Sequence, residues 1–189
     1  DDHDYERPIW GLAGWSRDGK SVLVYDKFDV WQLPLEGSGK PVNLTKGAGA
    51  AQQIQLRVVR LDLPGGGGRF GGRGGFGGAP PVEDHGIDLT KPLTLSAYGL
   101  WDKKSGYWAL EPGKAPRPLL YEDRMIGQAT KAENADRVIF TEQTFQEFPD
   151  WWTSNTAFQS PRKVTDADPF ISEYAWGGKA LVEYTNSKG

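Results

Sequence analysis

Trp15-Ser16-Arg17-Asp18-Gly19-Lys20-Ser21-Val22-Leu23-Val24-Tyr25 decides the fold, because it returns late in the chain as Trp176-Gly177-Gly178-Lys179-Ala180-Leu181-Val182-Glu183-Tyr184. In both copies an aromatic strand end meets a glycine turn, and a run rich in β-formers follows. A looser copy runs Lys131-Ala132-Glu133-Asn134-Ala135-Asp136-Arg137-Val138-Ile139-Phe140. Recurrence at a period of about 40 residues is how solenoids and propellers appear in sequence.

Working outward, the first copy opens a unit of four short strands: Leu12–Ser16, Ser21–Tyr25, Val30–Leu35 and a closing piece at Pro41–Thr45. Trp31, Leu33 and Leu35 alternate with Val30, Gln32 and Pro34, the period of two expected of a strand. A later unit offers Ile126–Ala132, Arg137–Thr141, Trp151–Ser154 and Arg162–Thr165. Trp31 precedes Leu44 by 13 residues and Trp151 precedes Val164 by 13, which aligns the two units. The middle unit reads as Ile54–Leu63, Leu93–Tyr98, Tyr107–Leu110 and Arg117–Tyr121, with turns at Lys104-Ser105-Gly106 and Pro112-Gly113. An insertion over 64–88 separates the first two of these strands.

Blade-like units thus fall at about 8–45, 54–121, 124–165 and 172–189, and helical periodicity is lacking. The expected fold is all-β, a partial β-propeller of about three to four four-stranded antiparallel blades. Propellers close with about four to eight blades. An incomplete ring leaves apolar faces uncovered on its end blades, so the chain reads as part of a larger object.

Composition narrows the function. The 189 residues carry eight Trp, eight Phe and seven Tyr, an aromatic load typical of sheets. Net charge is −3 with both signs interspersed, which argues against a broad nucleic-acid or anionic-membrane surface. No apolar stretch is long enough to span a bilayer. The absence of Cys excludes disulfides and thiolate chemistry without fixing the compartment.

No catalytic constellation can be read. A nucleophile elbow needs Gly-x-Ser-x-Gly, and no Ser has Gly at both positions; Ser16 follows Gly14 but precedes Asp18. Histidine is limited to His3 and His85. The tract Gly65–Gly78 resembles a phosphate cradle only trivially, since no Gly-Lys-Ser/Thr follows. Its two Arg and two Phe suggest an RNA-stacking segment less well than a glycine-rich surface loop. Asp1-Asp2-His3-Asp4 has metal-ligand chemistry but consecutive spacing, so no metal or other cofactor is expected. Asn43-Leu44-Thr45 fits a glycosylation acceptor yet sits where a closing strand belongs. Trp31, Trp108 and Trp151 are assigned to equivalent packing positions between blades. Trp152, on the opposite face from Trp151, and the loop residues Phe145 and Phe148 are the candidates for lining a substrate channel or partner surface.

The run Gly14–Lys20 leading into Tyr25-Asp26-Lys27-Phe28-Asp29-Val30-Trp31-Gln32-Leu33 resembles the propeller of bacterial prolyl oligopeptidase-family serine peptidases. Phe148-Pro149-Asp150-Trp151-Trp152 and Leu181–Gly189 look like later parts of the same domain. The resemblance implies a propeller that caps an α/β-hydrolase domain lying beyond Gly189 and gates its access to short peptides. No catalytic residue of that family matches a position here, and the Glu-Glu pair of dipeptidyl-peptidase relatives is missing. The implied partners are that hydrolase domain and a peptide substrate, and the implied location is periplasmic or secreted. Two other readings stay open: a binding module that completes its ring by self-association, and RNA binding through the Gly/Arg/Phe tract.

Overall fold

The computed structural model describes residues 9–37, 39–61, 63, 84–175, 177–180 and 182–187. The acidic Asp1–Asp4 run, the Gly65–Gly78 tract and Trp176 lie outside them. The described chain is mostly β, in three antiparallel sheets that follow one another along the sequence. The first comprises β1 (Leu12–Trp15), β2 (Ser21–Tyr25), β3 (Val30–Pro34) and β4 (Val42–Asn43). The second comprises β5 (Ile54–Val59), β6 (Leu93–Gly99), β7 (Ser105–Leu110) and β8 (Arg117–Glu122). The third comprises β9 (Met125–Ile126), β10 (Thr130–Lys131), β11 (Val138–Gln143), β12 (Asp150–Ser154) and β13 (Arg162–Lys163). Strands pair in sequence order within every sheet, with β9 and β10 both on β11.

Short polar turns set this meander. Between β1 and β2, Asp18 Oδ1 accepts from the Ser16 hydroxyl at 2.6 Å and the Lys20 N–H at 3.0 Å. Gly19 sits at φ 69°, the left-handed conformation that favours glycine.

The middle sheet is covered on both faces. Leu56, Leu95, Ala97, Trp108 and Leu110 pack against Leu23 and Val30 of the first sheet. From its other face, Tyr107 and Leu120 pack against Val138, Phe140, Phe158 and Ala129 of the third unit. Alternation along each strand makes this division possible, since neighbouring side chains point to opposite faces.

Cross-strand register exposes a repeat. Trp31 lies opposite Val24, Trp108 opposite Leu95, and Trp152 opposite Phe140. The three stand on β3, β7 and β12, each beside an apolar partner on the strand before it, β2, β6 or β11. Trp108 faces the preceding sheet and is 4% exposed; Trp152 also faces the preceding sheet, partly buried against the second core. The tryptophan equivalent to Trp31 and Trp108 is therefore Trp152, whereas Trp151 is 45% exposed on the far face. The equal spacing of 13 pairs the wrong residues, because the backbone hydrogen bonds run from Leu44 N to Val30 O and from Val164 N to Trp151 O. One residue of slip reverses every side chain.

A buried carboxylate anchors the end of the first sheet. Asp29 accepts from the Thr45 hydroxyl at 2.6 Å, and from the N–H groups of Gly49 at 3.0 Å and Ala50 at 3.2 Å. It thereby fixes a five-residue helix, α1 (Ala48–Gln52), too short to register as a helical period. Thr45 is fully buried, so Asn43-Leu44-Thr45 serves structure. The third sheet repeats the device: Asp150 accepts from the Thr165 hydroxyl at 2.7 Å and from Ala167 N–H at 2.8 Å.

The expected strand Ile126–Ala132 is interrupted between β9 and β10. The Tyr107 hydroxyl enters from the second sheet, donating to Gly127 O and accepting from Ala129 N–H, each at 2.6 Å. Those two backbone groups are satisfied outside a ladder, so the strand breaks there. Beyond β13, the described residues contain a 3₁₀ turn, Ile171–Glu173, and no further strand.

Candidate functional site

A cavity of about 800 Å³ opens where the start of β1, the end of β2, the middle of the second sheet and the Met125–Gln128 segment meet. Apolar side chains such as Leu12, Val59 and Ile126 form part of its wall. Its charged lining is one-sided: Arg57, Arg60 and Lys103 contribute, while no carboxylate does among the described lining residues.

Arg57 is held by β5, half-buried, opposite Ser96 on β6. Its guanidinium lies 4.6 Å from the centre of the Tyr25 ring, a cation–π contact. It donates to the backbone carbonyls of Leu56 at 2.8 Å, Asp26 at 3.0 Å and Lys27 at 3.1 Å. Burial lowers its pKa from the usual guanidinium value, countered by Tyr25, Asp26 and Asp29, and it remains a cation. Carbonyl dipoles, a ring face and the field of Asp26 and Asp29 thus stabilise this charge, with no salt bridge to a carboxylate among the described residues.

The other polar groups have assigned tasks. Arg60 bonds Asp84 at 3.0 Å and Gly86 O at 3.3 Å, fastening the segment that returns from the insertion. That segment continues to Ile87, which exchanges backbone hydrogen bonds with Trp15 and Arg17 beside β1. Tyr25 accepts from Val58 N–H at 3.1 Å, and burial raises its pKa, so its phenol stays a neutral donor. Burial likewise pushes Tyr107 up to about 12. Ser105 Oγ donates to Arg124 O at 2.7 Å and accepts from Ile126 N–H at 2.8 Å. Lys103 places its ammonium 5.9 Å from the centre of the exposed Tyr98 ring.

These walls can bind and orient through positive charge, phenol donors and apolar surface. Among the described lining residues there is no histidine or carboxylate to act as a base for Ser96 or Ser105.

The residues proposed from sequence sit elsewhere. Trp152 packs against the second core, while Phe145 and Phe148 stand exposed on the loop after β11. Lys179 places its ammonium 4.6 Å from the centre of the Phe145 ring, and Gly177 O accepts from the Gln146 side chain at 3.2 Å. None of the three lines the cavity. Sequence reasoning passed over Arg57, which carries no signal beyond being a charge within an apolar strand, Ile54–Val59. Among the described residues there is no cluster of three or more His, Cys, Asp or Glu arranged for a metal, and no helix is long and apolar enough to cross a membrane.

No protein-family model matches this chain, and no curated protein or solved structure is significantly similar to it.

Proposed function

We propose that this chain is the non-catalytic propeller portion of a serine peptidase of the prolyl oligopeptidase type, gating peptide access to an α/β-hydrolase domain of the same parent protein. One observation carries the propeller part: three successive meander sheets each place a tryptophan, Trp31, Trp108 and Trp152, at the same register. Two of these cover the preceding sheet. On the first sheet the corresponding face holds Val24 and Trp31, with Leu12 54% and Trp15 55% exposed. The repeated geometry leaves that face suited to one more sheet of the same kind. The peptidase part rests on the sequence resemblance, and the cavity, with Arg57, Lys103 and Tyr25 among its described lining residues, supports a positioning role.

The direct test is a fluorophosphonate probe for activated serines. The chain alone should remain unlabelled, while the parent protein should label on its hydrolase domain; labelling of this chain would overturn the proposal. The exposed Trp15 face also favours a second reading, a ring completed by two copies of the chain. A native mass near twice 20.9 kDa supports it, and loss of that dimer on Trp15→Lys would place the contact.

A further inference from the structure

We infer that the cavity between the first and second sheets recognises an organic carboxylate, presented as the free C-terminus of a short peptide. Naming a peptide as the carrier rests on the proposed function; the anion site itself rests on geometry. Arg57 brings a half-buried guanidinium to the cavity wall with three backbone carbonyls as its hydrogen-bond acceptors and, among the described residues, no carboxylate. Desolvating a cation without a counter-ion is costly, and an incoming anion recovers part of that cost. Asp26 and Asp29 add to the field at Arg57 but form no salt bridge with it. Lys103, also among the lining residues, adds a second positive charge, its ammonium donating to Leu100 O at 2.5 Å. The Tyr25 phenol, kept protonated by burial, supplies a donor beside the guanidinium. A planar guanidinium suits a carboxylate because two N–H groups can meet two oxygens. Leu12, Val59 and Ile126 give the remainder of the ligand apolar surface, which favours a terminal residue with an apolar side chain over a bare inorganic anion.

The experiment is calorimetric titration of the full chain with an N-acetylated dipeptide acid ending in phenylalanine, its C-terminal amide, and benzoate. The acid should bind about tenfold more tightly than the amide, the worth of one charge-assisted hydrogen bond. Arg57→Gln should erase that difference. Lys103→Met, at a more accessible position, should narrow it while leaving the thermal melt unchanged, and added salt should do the same. Equal binding of acid and amide overturns carboxylate recognition but leaves the peptide-gating proposal standing. Arg57-dependent binding of benzoate with no binding of either peptide upholds the anion site and overturns the peptide carrier. No binding of any of the three overturns both parts of the inference.

Discussion

Replacing Asp29 by alanine tests whether one buried carboxylate ties the first sheet to the connection that follows it. Asp29 is 1% exposed and accepts three hydrogen bonds, from Thr45, Gly49 and Ala50. A hydrogen bond to a charged group is worth about 1.5–3 kcal/mol, and a buried donor left unpaired loses its desolvation energy as well. Gly49 is itself buried, so its N–H has no ready access to water after the substitution. Because the three bonds share one acceptor group their losses do not add, and a total of about 3–5 kcal/mol is expected. For a domain of this size each kcal/mol shifts Tm by about 2–4 °C, so the melt should fall by about 6–20 °C. Asp29→Asn keeps one acceptor oxygen but turns an amide toward a backbone donor, and should cost less. The assay is thermal unfolding followed by circular dichroism, with Thr45→Val and the double variant completing a cycle. Coupling between Asp29 and Thr45 should exceed about 0.5 kcal/mol. Melts of Asp29→Ala and wild type that coincide within about 1 °C would refute the reasoning, since surface substitutions behave that way.

Other outcomes follow from the same packing. Trp108→Ala should destabilise by about 3–5 kcal/mol, read by denaturant unfolding. Trp108→Phe should cost far less, because the indole N–H has no partner among the described residues and its removal takes away a desolvation penalty. Gly106→Ala should abolish the folded melt, since a Cβ there lies 2.0 Å from the Leu120 carbonyl oxygen and the backbone is at φ 156°. Glu142 is buried on β11, and burial first, then Glu122 and Glu147, raise its pKa against the opposing effect of Arg124. A raised carboxylate pKa means the folded state holds its proton longer than the unfolded chain, so stability falls as pH rises from 4.5 through the folded value. Glu142→Gln should therefore raise Tm at neutral pH, and the gain should vanish below pH 4.5. Asp150 behaves oppositely: hydrogen bonds from Lys163 and then Thr165 lower its pKa, so its stabilisation is present above the unfolded value near 3.8 and disappears as pH falls through the folded one. Asp150→Asn should flatten the acid limb of the Tm–pH curve.

Much of the secondary structure was legible because strands of four to seven residues carry alternation and turn chemistry locally. Val30–Pro34, Leu93–Gly99 and Val138–Gln143 lie within a few residues of the strands read from their pattern. The carboxylate anchors were hidden because Asp29 and Thr45 stand 16 positions apart, and only the closing of β3 on β4 brings them together. The cavity was hidden for a related reason. Arg57, Tyr25 and Lys103 belong to different elements or loops, and none has a neighbour in sequence that marks it.

By itself, the amino-acid sequence determined that the chain is β-rich, repetitive, free of cysteine and without a nucleophile elbow, because periodicity and motif are properties of neighbours along the chain. Tertiary structure decided that Trp152 and not Trp151 is the counterpart of Trp31, that Tyr107 interrupts the strand leading into the third sheet, and that three cations share one cavity. Those outcomes depend on register and on which face meets which, and a single-residue slip inverts a strand while leaving its local pattern almost unchanged.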